Sequence, residues 1–276
     1  MSTANRFEGP FRRLVNSAAE EKGSIHDDEE AQKLGFRGGF VPGSIVGTAA
    51  LRPVWQAFGA QWFEGGWYSF TFVSPVYIDD EVRDEATFEG DEFAIQVVDR
   101  AGRLCCNGRA GLGAVAPWET APTPDADDGG VLPGIDIGHR FEPAGFELDA
   151  LLCAATIRAA GDDSSLFRDT APGGAMAPPE QLHVEALHLV SRPDQPRVPR
   201  VTGVRGPGMW AQHDLVIDRP LRAGRPYVLN EWVAGKGRSG RTIYLTYAFD
   251  VSENGRVFAR GSHKAKWLAA EEEQST

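Results

Sequence analysis

Residues 44–58 read SIVGTAALRPVWQAF, and residues 70–75 read FTFVSP. The first stretch carries Ile45, Val46, Ala49, Leu51, Val54, Trp55 and Phe58, which cover most faces of a helix. A helix that is apolar all round belongs inside a protein rather than on its surface. Pro42-Gly43 or Ser44 can start it, and Pro53 must kink or split it. The second stretch opens a run of strands rich in Val, Ile, Phe, Tyr and Thr: Phe70–Pro75, Val82–Phe88, Phe93–Asp99 and Arg103–Leu112. A buried helix followed by antiparallel strands predicts an α+β fold with the strands after the helix.

The same order returns downstream. Leu215–Pro220, Tyr227–Val233, Thr242–Val251 and Val257–Trp267 read as strands, with turns at Arg100–Gly102 in the first block and Glu253–Gly255 in the second. The segment 235–240, GKGRSG, lacks the spacing of a phosphate-binding loop and reads as another hairpin turn. Pro75 and Pro220 stand 145 residues apart in matching places. Ahead of the strands, Asp27–Leu34 reads as a short helix and 36–42 (FRGGFVP) as a glycine-rich loop. In the second half Glu147–Ala160 and Pro179–Ser191 read as helices, the latter as the buried one. Between the blocks, residues 116–130 (APWETAPTPDADDGG) hold three prolines, four acidic residues and two glycines, the composition of a linker. The expected division is therefore residues 1–115, a linker 116–130, and residues 131–276.

Composition narrows the function. The chain has 276 residues and a net charge of −11, which repels phosphate backbones and argues against nucleic acid. The amino-terminal residues are polar, and no apolar run approaches the roughly 20 residues of a membrane span. A cytoplasmic address is expected. Cys105, Cys106 and Cys153 show neither a disulfide framework nor metal spacing. Cys105 and Cys106 should face opposite sides of a strand. No dinucleotide fingerprint is present, so no cofactor is expected, and His26-Asp27-Asp28 does not make a metal motif.

The segment from Glu21 to Gly43 resembles the signature of the MaoC-like enoyl-CoA hydratase/dehydratase family. That family shows an Asp, four residues, a His, an alanine-bearing helix, a Gly-Phe loop and a Gly at the start of the central helix. Here His26, Ala31, Gly35, Phe36 and Gly43 occupy these places. Three positions depart from the pattern: the Asp is Glu21, the Asn-Pro pair is Gly23-Ser24, and the His before the last glycine is Pro42. The second half echoes it in part, with Asp162 at the Asp position and Phe167 at the His position. The resemblance implies a double hotdog, two curved sheets that each wrap a central helix and pair into a pseudo-dimer. It implies a better-preserved site in the first half and a degenerate one in the second.

The implied chemistry adds or removes water across a double bond conjugated to a carbonyl, with an enoyl or 3-hydroxyacyl thioester as substrate. A base must activate water, an acid must protonate the α-carbon, and amides must hold the enolate oxygen. His26 and Glu21 fit the proton work and Gly43 the oxyanion position. Phe40, Val41, Ser44, Trp55, Trp210 and His213 are expected to contact substrate, with Asp162 a secondary catalytic candidate. Trp55, Trp62 and Trp67 read mostly as core, with a bulky substrate as the alternative. The expected partner is a small molecule, CoA- or carrier-linked, and a homodimer is compatible with the fold. Two other activities compete: a hotdog acyl thioesterase, and a non-catalytic acyl-ligand binder or partner subunit.

Overall fold

The computed structural model describes residues 5–89, 91–113, 131–132, 134–171, 173–191 and 204–269. The expected linker at 116–130 lies outside the described residues. The first half contains β1 (Asn5–Glu8), β2 (Arg12–Arg13), α1 (Asp28–Lys33), α2 (Gly43–Ala50), α3 (Arg52–Phe58), then β3 (Gly66–Phe72), β4 (Glu81–Glu89), β5 (Glu92–Asp99) and β6 (Leu104–Leu112). The second contains β7 (Ala144–Glu147), α4 (Ala150–Ala159), α5 (Gln181–Ser191), then β8 (Val204–Ile217), β9 (Pro226–Ser239), β10 (Thr242–Glu253) and β11 (Arg256–Ala269). The order across the sheet is β1-β4-β5-β6-β3-β8-β11-β10-β9-β7, with β2 paired to β4. The second half thus repeats the first in mirror order, and the halves meet where β3 pairs antiparallel with β8. None of the described helices is long and apolar enough to cross a membrane.

Pro53 resolves as the sequence requires. The apolar stretch breaks into α2 and α3 at Leu51, and Pro53 sits in the first turn of α3, where its missing N–H costs nothing. Every residue of α2 from Ser44 to Ala50 is buried. Trp55, Trp62 and Trp67 are buried as well.

Several expectations change. β8 begins at Val204 rather than near Leu215. Its polar, glycine-bearing start is held extended by β11, and further along by β3 as well, so tertiary pairing overrides local propensity. Glu147 closes β7 rather than opening a helix, and α4 starts after Asp149, whose carboxylate accepts the Leu152 amide at 2.8 Å. Residues 235–239 continue β9, leaving only Gly240 and Arg241 to turn the chain. β3 covers Gly66–Phe72, so Ser74 and Pro75 fall beyond its end. Cys105 and Cys106 are both buried. The register slips at this point, from Val97 opposite Cys106 to Val98 opposite Leu104, and the bulge removes the strict alternation.

A buried ionic node ties the first sheet to the helices. Asp84 on β4 is fully buried and is met by Arg12, and by Arg52 Nε at 3.4 Å. Arg12 Nε also donates to the Ala160 carbonyl at 3.0 Å, which reaches the second half. Removing the carboxylate strands two guanidinium groups in a poorly hydrated place. Asp84→Ala should lower stability by about 3–5 kcal/mol, measured as a reduced urea midpoint at unchanged slope.

Candidate active site

Asp27 caps α1 by accepting the Glu29 amide at 3.0 Å, and three acidic residues in the first turn suit the helix dipole. Capping fixes the loop in front of the helix, and the loop carries His26. The His26 carbonyl accepts Asn16 Nδ2 at 2.9 Å, and its amide donates to Ser24 Oγ at 3.2 Å. Asp28 reaches across to accept the Gly39 amide at 2.8 Å, which pins residues 36–42 against α1. A Cβ on Gly39 would stand 2.1 Å from the His26 carbonyl oxygen, so only glycine permits this approach.

The His26 ring is then fixed from the same loop. Its Nδ1 lies 2.7 Å from the Phe40 carbonyl, an acceptor only, so Nδ1 carries the proton and Nε2 keeps its lone pair. Burial pushes the His26 pKa below the ordinary 6.5, with the Phe40 carbonyl and the Glu21 charge opposing. The imidazole is therefore neutral at pH 7 and able to take a proton. Phe40 also packs edge-on against His26, Phe36 and Tyr77, with ring centroids 5.9, 5.3 and 6.3 Å apart.

His26 opens on a cavity of about 520 Å³ built from both halves. The first half contributes the 36–43 loop and the head of α2. The second contributes Thr156 from α4, Gln181 and His188 from α5, Trp210 from β8 and Trp267 from β11. Gly43 heads α2, where the first amides have no intrahelical partner, and a Cβ there would lie 3.3 Å from Trp210 and 3.4 Å from Phe72. The walls are mostly apolar. The polar groups include His26, His188, Glu21, a few hydroxyls, and the Thr156–Gln181 pair, whose Oγ1 donates to Oε1 at 3.3 Å.

The structure brings His26, Glu21, Gly43, Phe40, Val41, Ser44 and Trp210 to one cavity. Glu21 is exposed at its edge, and it influences His26 through its charge. Trp55, His213 and Asp162 do not line the cavity. The Trp55 Nε1 donates to Asp162 Oδ2 at 2.8 Å, while Asp162 Oδ1 accepts the amides of Asp163 and Ser164. Phe167 packs edge-on against Trp55 at 5.0 Å, so the counterpart of the His26 region in the second half is filled with aromatic rings. His213 stands behind the wall, 4.6 Å from the Trp210 ring and 4.8 Å from Phe72.

Cys105, Thr156, Gln181, His188 and Trp267 line the cavity without a sequence signal that marked them. Burial raises the Cys105 thiol to about 11, which leaves it protonated and a poor nucleophile at neutral pH. His188 faces Glu185 at 3.9 Å, and that carboxylate raises its pKa.

Solved structures of other proteins share this architecture. A conserved protein of Mycobacterium tuberculosis with a double hotdog fold superposes with a TM-score of 0.64 at 14% identity, covering 97% of each chain. A protein from Chloroflexus aurantiacus described as a MaoC domain protein dehydratase gives a TM-score of 0.67 at 10% identity, covering 98% of this chain and 96% of that one. A MaoC-like dehydratase gives 0.59 at 11% identity, covering 97% and 98%. Structures described as thioesterases also match, with lower scores. No protein-family model and no curated protein matches the sequence. The chain has a double hotdog fold.

The fixed tautomer yields a direct test. In a ¹⁵N-edited spectrum, His26 should show the Nδ1–H form at pH 7 and titrate with a midpoint below 6.5. A midpoint above that value would contradict the dominance of burial.

Proposed function

We propose that the chain is a hydratase/dehydratase-type lyase that acts on a double bond conjugated to a carbonyl, with an enoyl or 3-hydroxyacyl thioester as the substrate class. The observation that carries this reading is the neutral His26, its Nδ1 committed to the Phe40 carbonyl and its ring on a mostly apolar cavity. The resemblance of 21–43 to the MaoC-like signature and the similar fold of proteins described as MaoC-like dehydratases support it.

In the hydration direction His26 Nε2 takes one proton from water as the water oxygen bonds to the β-carbon. The π pair of the double bond moves towards the carbonyl, and the enolate oxygen meets the amides at the head of α2, near Gly43, with the helix dipole assisting. The imidazolium then gives that proton to the α-carbon, which restores neutral His26 and completes the net addition of one water. Glu21 occupies the family's Asp position and shares the proton work. Phe40, Val41, Ser44 and Trp210 shape the acyl site. The second half, with Phe167 where a histidine would be needed, serves as a wall rather than as a second site.

One observation favours a rival, ligand binding without turnover: Glu21 is exposed, and the attraction between it and His26 is only long-range. A panel of short, long and aryl enoyl-CoAs separates the readings. Loss of the conjugated enoyl absorbance, reduced about 10²–10⁴-fold in His26→Ala, supports the lyase. Release of free thiol with the double bond intact indicates a thioesterase, and saturable binding with no chemistry indicates the binder. Because the working base is neutral His26, the acidic limb of the rate profile should fall below pH 6.5.

A further inference from the structure

Behind Trp210 and Phe72 lies a second cluster that the hydration chemistry does not use. Glu180 just before α5, His183 in the first turn of α5, and His213 on β8 are each wholly buried. Glu180 Oε2 lies 2.6 Å from His213 Nδ1, and His183 Nε2 lies 3.1 Å from the Tyr68 hydroxyl. The imidazole rings of His183 and His213 are stacked at 4.0 Å. One donor atom from each of the three residues falls within 4.8 Å of the others. Glu180 Oε1, His183 Nδ1 and His213 Nε2 are buried without a hydrogen-bond partner among the described residues. So are both nitrogens of His263, whose ring centroid lies 6.1 Å from His183 and 6.5 Å from His213.

This concentration of lone pairs is costly. Each buried polar atom left without a partner is destabilising, and a buried carboxylate more so. The fold does not require it. The pseudo-repeat places Tyr68 opposite Ala110 and Phe93 beyond it, where the second half has His213, His263 and Tyr247 in the same row. The first half fills that row with tyrosine, alanine and phenylalanine, so the imidazoles of the second are not required by packing.

We propose that Glu180, His183 and His213 bind a divalent transition-metal ion of the zinc type, with His263 supplying a fourth nitrogen. Two or three imidazoles with one carboxylate suit zinc and its neighbours, whereas magnesium and calcium demand shells of oxygen. Donors around zinc stand about 3.3 Å apart, given bonds of about 2.0–2.1 Å. The stacked rings must therefore turn their edges towards Glu180 and close by up to about 1.5 Å. The site is sealed from the cavity by Trp210, which makes the ion structural rather than catalytic. It would link the start of α5 to β8, and to α2 as well, because a Cβ on Gly47 would stand 2.5 Å from the Glu180 carboxyl carbon. Glu180 and His183 stand three residues apart around the start of α5, but His213 comes from β8, so sequence spacing does not reveal the full set.

The test uses the full, tag-free chain, stripped with EDTA, equilibrated with zinc or cobalt(II), desalted and assayed by elemental mass spectrometry. About one equivalent should be retained per chain, the cobalt form should show the intense visible bands of a tetrahedral site, and Tm should rise by several degrees with zinc but not with magnesium. Glu180→Gln and His183→Gln should each weaken retention by at least about tenfold, whereas His26→Ala keeps the full equivalent. Wild-type protein that retains no zinc or cobalt and shows no change in Tm would overturn the proposal, even if the cluster variants fail to fold. Retention that survives both cluster substitutions would overturn it equally.

Discussion

The pairing of β3 with β8 is the constraint on which the rest of the molecule depends. It joins two five-strand units into one sheet, with Ser69 opposite Asp214. These two residues are 145 apart, the repeat distance between Pro75 and Pro220, so the local pseudo-twofold axis passes through this pair. Ser69 Oγ donates to Asp214 Oδ1 at 2.6 Å, and Ser262 and Gln212 donate to the same carboxylate. Strand alternation then turns Phe70 and His213 to the helix side. Both the cavity wall and the buried imidazole cluster follow from that register. A slip of one residue would exchange the two faces.

The two halves use one scaffold for different ends. In the first, a glycine-rich loop is stitched to a capped helix so that a histidine meets a carbonyl at 2.7 Å. In the second, the equivalent turn is tied off by an indole–carboxylate bond and packed with phenylalanine. The polar residues of the second half have moved inward, beneath α5, where Glu180 and three histidines are sealed from water. One half therefore presents its chemistry to the cavity and the other supplies the wall.

Much of this is legible in the sequence, because the physics is local there. The run Ser44–Phe58 is apolar on most faces, so its first part had to be buried, and Pro53 had to break it. The resemblance of residues 21–43 to the MaoC-like signature, rather than any local physics, pointed to the loop that carries His26. What stayed hidden depends on distant partners. The β8 start, with Gly206, Pro207 and Gly208, has no strand propensity of its own and is extended because its neighbours pair with it. Trp55 and Asp162 each looked functional alone, yet they satisfy one another across 107 residues. Gln181, Thr156 and Trp267 reach the cavity only through the folding of one half onto the other.

The outer ends of the sheet carry a consequence for how this molecule meets its surroundings. An antiparallel sheet of this width exposes two rows of unsatisfied amides and carbonyls, an open template for the next chain. Here the outermost strands, β1 and β7, are four residues each, half or less the length of the strands they cover. Such short ends offer a neighbouring chain few backbone groups along β1 and β7, one of the devices by which sheets limit lateral strand addition.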